Sequence, residues 1–162
     1  VGWVLYFAKR YEDALRQYDR TLRIDPSYVQ AHWRLGTAYA AVNRLDDAVA
    51  ELDRVVGLTG RSTSSLAWLG LIDAVAGKRT DAEAVLGELL TRARDQYVTP
   101  AGVALIYAQL RDRDQAFGWL EKAFEERSNA LAYLAVDPMY DPLRSDPRFD
   151  NLRQRVGLEE VR

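Results

Sequence analysis

The segment LGTAYAAVNRLDDAVAEL, residues 35–52, decides the fold of this chain of 162 residues. It places one small residue at Gly36, a second at Ala48 and a bulky residue at Leu52. The spacing from Ala48 to Leu52 puts both side chains on one face of a helix, and Gly36 fits a preceding helix. The same pattern returns at intervals of 34 residues, which is the period of a repeated helix–turn–helix unit.

Four copies of this pattern occur in register. Small residues where two helices face each other let the backbones approach closely, and bulky side chains fill the remaining gaps. The pattern therefore predicts an all-α fold, an α-solenoid of about four antiparallel helix pairs. The recurring positions are the alanines Ala14, Ala48, Ala82 and Ala116, the bulky residues Tyr18, Leu52, Leu86 and Leu120, and the small residues Gly2, Gly36, Gly70 and Ala104.

The pattern resembles the tetratricopeptide repeat, whose signature runs W-x2-L-G-x2-Y and then A-x3-F. The second unit matches with LGTAY at 35–39 and AVAEL at 48–52. The resemblance covers roughly residues 1–128 and implies a right-handed superhelix. One departure is Asp73, which stands where the family has Tyr or Leu. We expect the third unit to be loosely packed or turned outward at that residue.

The repeats divide the chain into four units and a tail. We expect the units at about 1–28, 29–62, 63–96 and 97–128, followed by the tail at 129–162. Because the pattern begins in the middle of a helix at Val1, we expect the first unit to be truncated. We therefore expect the chain to be the C-terminal piece of a longer protein.

The tail breaks the repeat with three Asp-Pro dipeptides. A residue before proline is pushed out of the helical region, so the segment from Asp137 to Phe149 predicts an irregular turn. Asp146 then starts a capping helix that runs to about Val156 and covers the end of the last repeat. The tail is similar to the end of repeat regions in bacterial multidomain signalling proteins. In such proteins the repeats follow a winged-helix DNA-binding, Ser/Thr kinase or nucleotide cyclase domain.

Composition argues against several kinds of site. A net charge of −2 is unlike a nucleic-acid surface, the lack of cysteine excludes disulfides and thiolate metal sites, and no apolar run is long enough for a membrane helix. The single histidine, His32, has no second histidine or cysteine with which to form a catalytic pair. Adjacent carboxylates such as Asp46–Asp47 and Glu159–Glu160 point away from each other on a helix. We therefore predict no enzyme activity, no cofactor and no metal.

The resemblance implies a binding groove on the concave face, which the first helix of each pair lines. Its aromatic and arginine side chains suit an extended or helical peptide with apolar anchors and an acidic group. Two interpretations of Trp33 and Trp68 stay open, because these residues either line the groove or replace a missing core tryptophan. The register assigns to the groove Trp3, Tyr6, Phe7, Arg10, Gln30, Trp33, Arg34, Thr37, Ser64, Trp68, Leu71 and Leu105.

The sequence thus favours a non-catalytic scaffold that binds a protein or peptide partner in this groove. The resemblance of the tail indicates the C-terminal part of a larger bacterial regulatory protein, in the cytoplasm. The alternative is a structural module that self-associates through its open end or its outer helices. We expect neither a nucleic acid nor a membrane as partner.

Overall fold

Consecutive helices fold back on one another in four pairs, as the 34-residue pattern predicts. The computed structural model describes residues 1–158, so the predicted Glu159–Glu160 pair and the end of the predicted tail lie outside the described residues. The paired helices are Gly2–Phe7 (α1) with Tyr11–Ile24 (α2), Val29–Ala41 (α3) with Leu45–Thr59 (α4), Thr63–Val75 (α5) with Arg79–Arg92 (α6), and Pro100–Gln109 (α7) with Arg113–Glu125 (α8).

The pairs stack into two layers. Helix α3 contacts α5, and α5 contacts α7, so the first helices of the pairs form one continuous layer. The second helix of each pair packs against its first helix and against the next pair, as α2 does with α1 and α3. This arrangement is an α-solenoid, and its inner layer is the one in which the sequence predicts a groove.

The small positions of the repeat are where the paired helices come close. A Cβ atom added to Gly2 would lie 2.5 Å from Cε1 of Tyr18, and one on Gly70 would lie 2.9 Å from Cγ1 of Val85. The four recurring alanines are completely buried. A larger residue at any of these positions would push two helices apart.

The turn within each pair also follows the 34-residue period. Lys9, Asn43, Gly77 and Arg111 all have positive φ, between 57° and 74°. Only glycine adopts this left-handed conformation without a steric cost, so three of the four turns carry a small strain. The turn geometry therefore repeats although the residue type does not.

The expectation that Asp73 turns outward is wrong. Helix α5 runs without interruption from Thr63 to Val75, and its register keeps Asp73 inside, with 5% of its surface exposed. Burial raises the pKa of the Asp73 carboxyl to about 6, an effect that nearby Lys78 partly offsets. The third unit is thus tightly packed around an acidic residue.

The tail packs on the last helix pair. Two 3-10 helices, Asn129–Tyr133 (η1) and Pro138–Leu143 (η2), lead to the helix Pro147–Val156 (α9). The side chain of Asp146 accepts a hydrogen bond from the backbone N–H of Arg148 and caps α9, as predicted. The buried side chains of Leu134, Leu143, Phe149 and Leu152 join one apolar cluster with residues of α7 and α8.

Candidate functional site

The inner layer of helices encloses a cavity of about 300 Å³ together with the tail. Helices α1, α3, α5 and α7 supply its walls. The segment 129–140, which we call the strap, crosses the concave face and closes one side of the cavity. Strap side chains that line it include Tyr133, Asp137 and Met139. The side chain of Gln109 on α7 fixes the strap by donating a hydrogen bond to the carbonyl oxygen of Met139, at 2.8 Å.

The structure brings most of the predicted groove residues to this cavity but leaves some outside. Arg10, Gln30 and Ser64 are exposed and do not line it, and Arg10 pairs with Asp13 instead. Phe7 lies beside the cavity and contacts the ring of Trp3, with 4.1 Å between centroids. The predicted residues that line the cavity are Trp3, Tyr6, Trp33, Arg34, Thr37, Trp68, Leu71 and Leu105.

Trp33 and Trp68 form one wall of the cavity as a stacked pair. Their ring centroids are 4.3 Å apart and their planes are nearly parallel, at 10°. Both side chains are partly buried and also pack against the central apolar core. The two interpretations of these residues are therefore not alternatives, because both residues line the cavity and also pack against the core.

Arg34 is the only arginine that lines the cavity among the described residues. Its guanidinium lies over the rings of Trp3 and Trp33, 2.9 and 3.9 Å from their centroids. Burial among these rings lowers the pKa of Arg34 to about 10. Within residues 1–158 its Nη1 atom is buried without a hydrogen-bond partner.

Two further polar atoms of the cavity residues share this condition. Nε1 of Trp33 and the hydroxyl of Tyr6 are buried and have no partner within the described chain. A buried donor without an acceptor costs about 1–3 kcal/mol, so such groups are seldom left without a reason. Together, Arg34 and Trp33 can donate hydrogen bonds to an acceptor group such as a carboxylate.

Asp137 of the strap adds a negative charge to the same cavity. Its Oδ1 atom accepts a hydrogen bond from the backbone N–H of Met139 at 2.9 Å, which starts η2. Burial raises the pKa of the Asp137 carboxyl, while that hydrogen bond and the charge of Arg34 act in the opposite direction. In the described chain Asp137 and Arg34 form no ion pair within 4 Å, so the guanidinium keeps a free donor.

Tyr133 closes the strap over the start of the chain. Its ring stacks on Phe7 with 5.3 Å between centroids and meets Trp3 edge-on at 5.7 Å. Sequence analysis did not assign Tyr133, Asp137 or Met139 to the site. The strap lies outside the repeat, so no periodicity relates it to α1. Its aromatic residues were the one feature of the sequence that indicated, weakly, a part in the site.

A second depression, more open to solvent than the cavity, lies on the other side of α3, between α2 and α4. His32 is at its base, with Nδ1 2.6 Å from Oε2 of Glu51 and Nε2 2.9 Å from the carbonyl oxygen of Pro26. Both ring nitrogens thus have partners, and Glu51 is also paired with Arg54. The buried ring of His32 is therefore part of a satisfied hydrogen-bond network.

Two further features of the described residues bear on other classes of function. No helix in this part of the chain is both long and apolar enough to cross a membrane. Nor do residues 1–158 contain a group of three or more His, Cys, Asp or Glu side chains arranged to hold a metal ion.

Known proteins provide the context for this architecture. Residues 2–65 match the tetratricopeptide repeat family. No curated protein shows significant sequence similarity to the chain.

Solved structures share the fold over almost the whole chain. A tetratricopeptide repeat protein from Parabacteroides merdae aligns with 99% of this chain at a TM-score of 0.68 and 15% identity. This chain spans 63% of the length of that protein. Two structures of MamA align at TM-scores of 0.51 and 0.50 with 18% identity, over 98% and 100% of this chain and 98% and 93% of theirs. Residues 2–65 thus match the tetratricopeptide repeat family, and the rest of the described chain continues the same fold of stacked helix pairs.

Proposed function

We propose that the cavity and its rim bind a segment of a partner protein, so that the chain acts as a non-catalytic interaction scaffold. The observation that carries the proposal is the stacked Trp33–Trp68 wall beside two buried donors without partners. Rigid aromatic rings offer a large contact area at a low cost in conformational entropy. Because these side chains stand on helices of the inner layer, the surface is preformed rather than assembled on binding.

The unpartnered donors of the cavity, rather than its net charge, favour an acidic partner segment. Arg34 is held by its aromatic neighbours at a fixed place, and its free Nη1 atom can donate to a carboxylate. A charge-assisted hydrogen bond of this kind is roughly twice as strong as a neutral one. The partner is therefore expected to contribute an Asp or Glu side chain to the cavity.

We place this interaction in a regulatory context. The similarity of the tail to bacterial signalling proteins supports a role as the C-terminal part of a larger regulatory protein in the cytoplasm. The scaffold would then couple the presence of a partner to a domain elsewhere in that protein. This regulatory context rests on sequence resemblance alone. The proposed binding in the groove does not depend on it.

The proposal is tested by capture of partners from bacterial lysate with the immobilised chain. The wild type is compared with a Trp33→Ala/Trp68→Ala variant, and with Trp119→Ala as the control. Trp119 is also partly buried, but it lies on the outer helix α8. Circular dichroism verifies that each variant is folded.

A partner that the wild type and the control retain, and the folded double variant loses, supports the groove as the binding site. Retention by all three proteins contradicts it. Light scattering on the same samples detects self-association, and a dimer that survives the double variant would favour the structural alternative instead.

A further inference from the structure

The strap places an aromatic ring on the part of the groove that lies nearest α1. We infer that Tyr133 is a gate residue whose ring is replaced by an aromatic side chain of the partner, next to an acidic side chain that binds Arg34. This inference rests on the proposed function of the groove. It adds the chemistry of the partner and the group within the chain that competes with it.

The contacts of Tyr133 define the position for which the two rings compete. Phe7 stacks on the Tyr133 ring at an interplanar angle of 19°, and Trp3 meets the same ring at 74°. Trp3 also carries the guanidinium of Arg34 on its ring. An aromatic ring at the place of Tyr133 is therefore adjacent to the cationic part of the cavity.

Tyr133 can leave this position without unfolding the strap. It is 39% exposed, and Val136, three residues further on, is 46% exposed. Their neighbours Leu131 and Leu134 are buried in the apolar cluster of the last repeat and hold the backbone in place. A rotation of the Tyr133 side chain therefore opens the gate while η1 stays docked.

The acidic requirement follows from the donors next to this position. Nη1 of Arg34 and Nε1 of Trp33 are both buried without acceptors in the described chain. Asp137 carries the opposite charge but is bound to its own turn through Met139. A partner carboxylate that reaches Arg34 supplies the acceptor that Asp137 does not.

The test selects peptides from a phage-displayed library of random peptides. Selection is carried out on the wild type and on Tyr133→Leu, which keeps apolar bulk on the strap. The affinities of the enriched peptides are then measured for the wild type, for Tyr133→Leu, Tyr133→Ala and Tyr133→Phe, and for the Trp33→Ala/Trp68→Ala variant. Tyr97→Ala is the matched control, because Tyr97 is an exposed tyrosine that does not line the cavity.

We expect the enriched peptides to contain an aromatic residue close to Asp or Glu. They should bind Tyr133→Leu and Tyr133→Ala about threefold to tenfold more tightly than the wild type, because an aromatic pair contributes about 0.5–1.5 kcal/mol. Tyr133→Phe, which keeps the ring, and Tyr97→Ala should bind like the wild type.

Each other outcome has one meaning. Peptides that need Trp33 and Trp68 but bind all Tyr133 variants equally overturn the gate and leave the proposed function standing. Peptides that lack aromatic or acidic residues overturn the stated partner chemistry. If neither protein selects any peptide, both the proposed function and this inference fail.

Discussion

Neighbouring residues of α3 face two different sites. The buried polar atoms of these residues have hydrogen-bond partners at one site, and in the described chain those at the other do not. His32 faces the outer depression, and each of its ring nitrogens lies within 2.9 Å of an oxygen atom. Trp33 and Arg34 face the inner cavity, and each keeps a buried donor without an acceptor in the described chain. The outer cluster is complete by itself, whereas the inner one becomes complete only when an acceptor is supplied.

This difference separates two roles that look alike in a sequence. A buried histidine with a carboxylate resembles a catalytic pair, and a tryptophan followed by an arginine resembles ordinary helix surface. The hydrogen bonds separate the two cases, because both ring nitrogens of His32 have partners within the chain, whereas Trp33 and Arg34 keep the donors that the proposed binding requires. Variants on either side of α3 test this difference.

The largest effect is expected from Glu51→Ala on the outer side. It leaves Nδ1 of His32 buried without its acceptor, and breaking a buried pair in this way costs about 3 kcal/mol of unfolding free energy. Urea unfolding measures the loss. The control is Glu121→Ala, which removes a partly exposed pair with Arg155 and should cost less than about 1 kcal/mol. Similar losses for the two variants would contradict a structural role for the histidine cluster.

Arg34→Met on the inner side should change binding rather than stability. It removes the donor for the partner carboxylate, so the affinity of an acidic peptide should fall about tenfold to a hundredfold. Stability should stay within about 1 kcal/mol of the wild type, since the lost cation–π contact is offset by the removal of a desolvated charge. Calorimetry and urea unfolding measure the two quantities. A large loss of stability without loss of binding would reverse the assignment of the two sides.

A smaller effect is expected from Asp73→Asn, at a third buried polar group. The pKa of Asp73 in the folded chain, about 6, is above that of an unfolded aspartate, so ionisation as the pH rises from about 4 to above 6 destabilises the fold. The amide removes this cost. After allowance for solvent screening, we expect a gain of about 1–2 kcal/mol at pH 7.5 and much less at pH 4.5.

Unfolding curves at the two pH values test this sign. Asp95→Asn is the control, because Asp95 is exposed and is not among the charges that act on Asp73, so no change is expected from it. A gain that is equal at both pH values would show that the carboxyl of Asp73 stays ionised throughout that range.

The repeat architecture could be predicted because each unit carries the same pattern of small and bulky residues. Alanines at one period and small residues at facing positions define helix pairs through local spacing alone, and the structure confirms the solenoid. The environment of Asp73 was mispredicted, because a family preference for apolar residues says nothing about whether an acid at that position stays inside. Packing on both sides of α5 held it there.

The closure of the groove could not be predicted for a different reason. Tyr133 contacts Trp3 and Phe7, which are far from it in the sequence. A contact of this kind produces no repeating pattern in the sequence. The predicted role of the tail accounted for its buried leucines but not for the ring that faces the other way. The register therefore named most residues of the cavity wall, and the strap that covers it emerged only from the three-dimensional packing.

The strap has a consequence for how the chain folds and frays. In an open solenoid each unit contacts only its neighbours, so the ends exchange amide hydrogens fastest and unfold without involving one another. Here the aromatic contact of Tyr133 joins the first helix to the segment that follows the last repeat, so the two ends of the array contact each other. Fraying of α1 and release of η1 become one cooperative event, and the amides of both segments should exchange with deuterium at coupled rates.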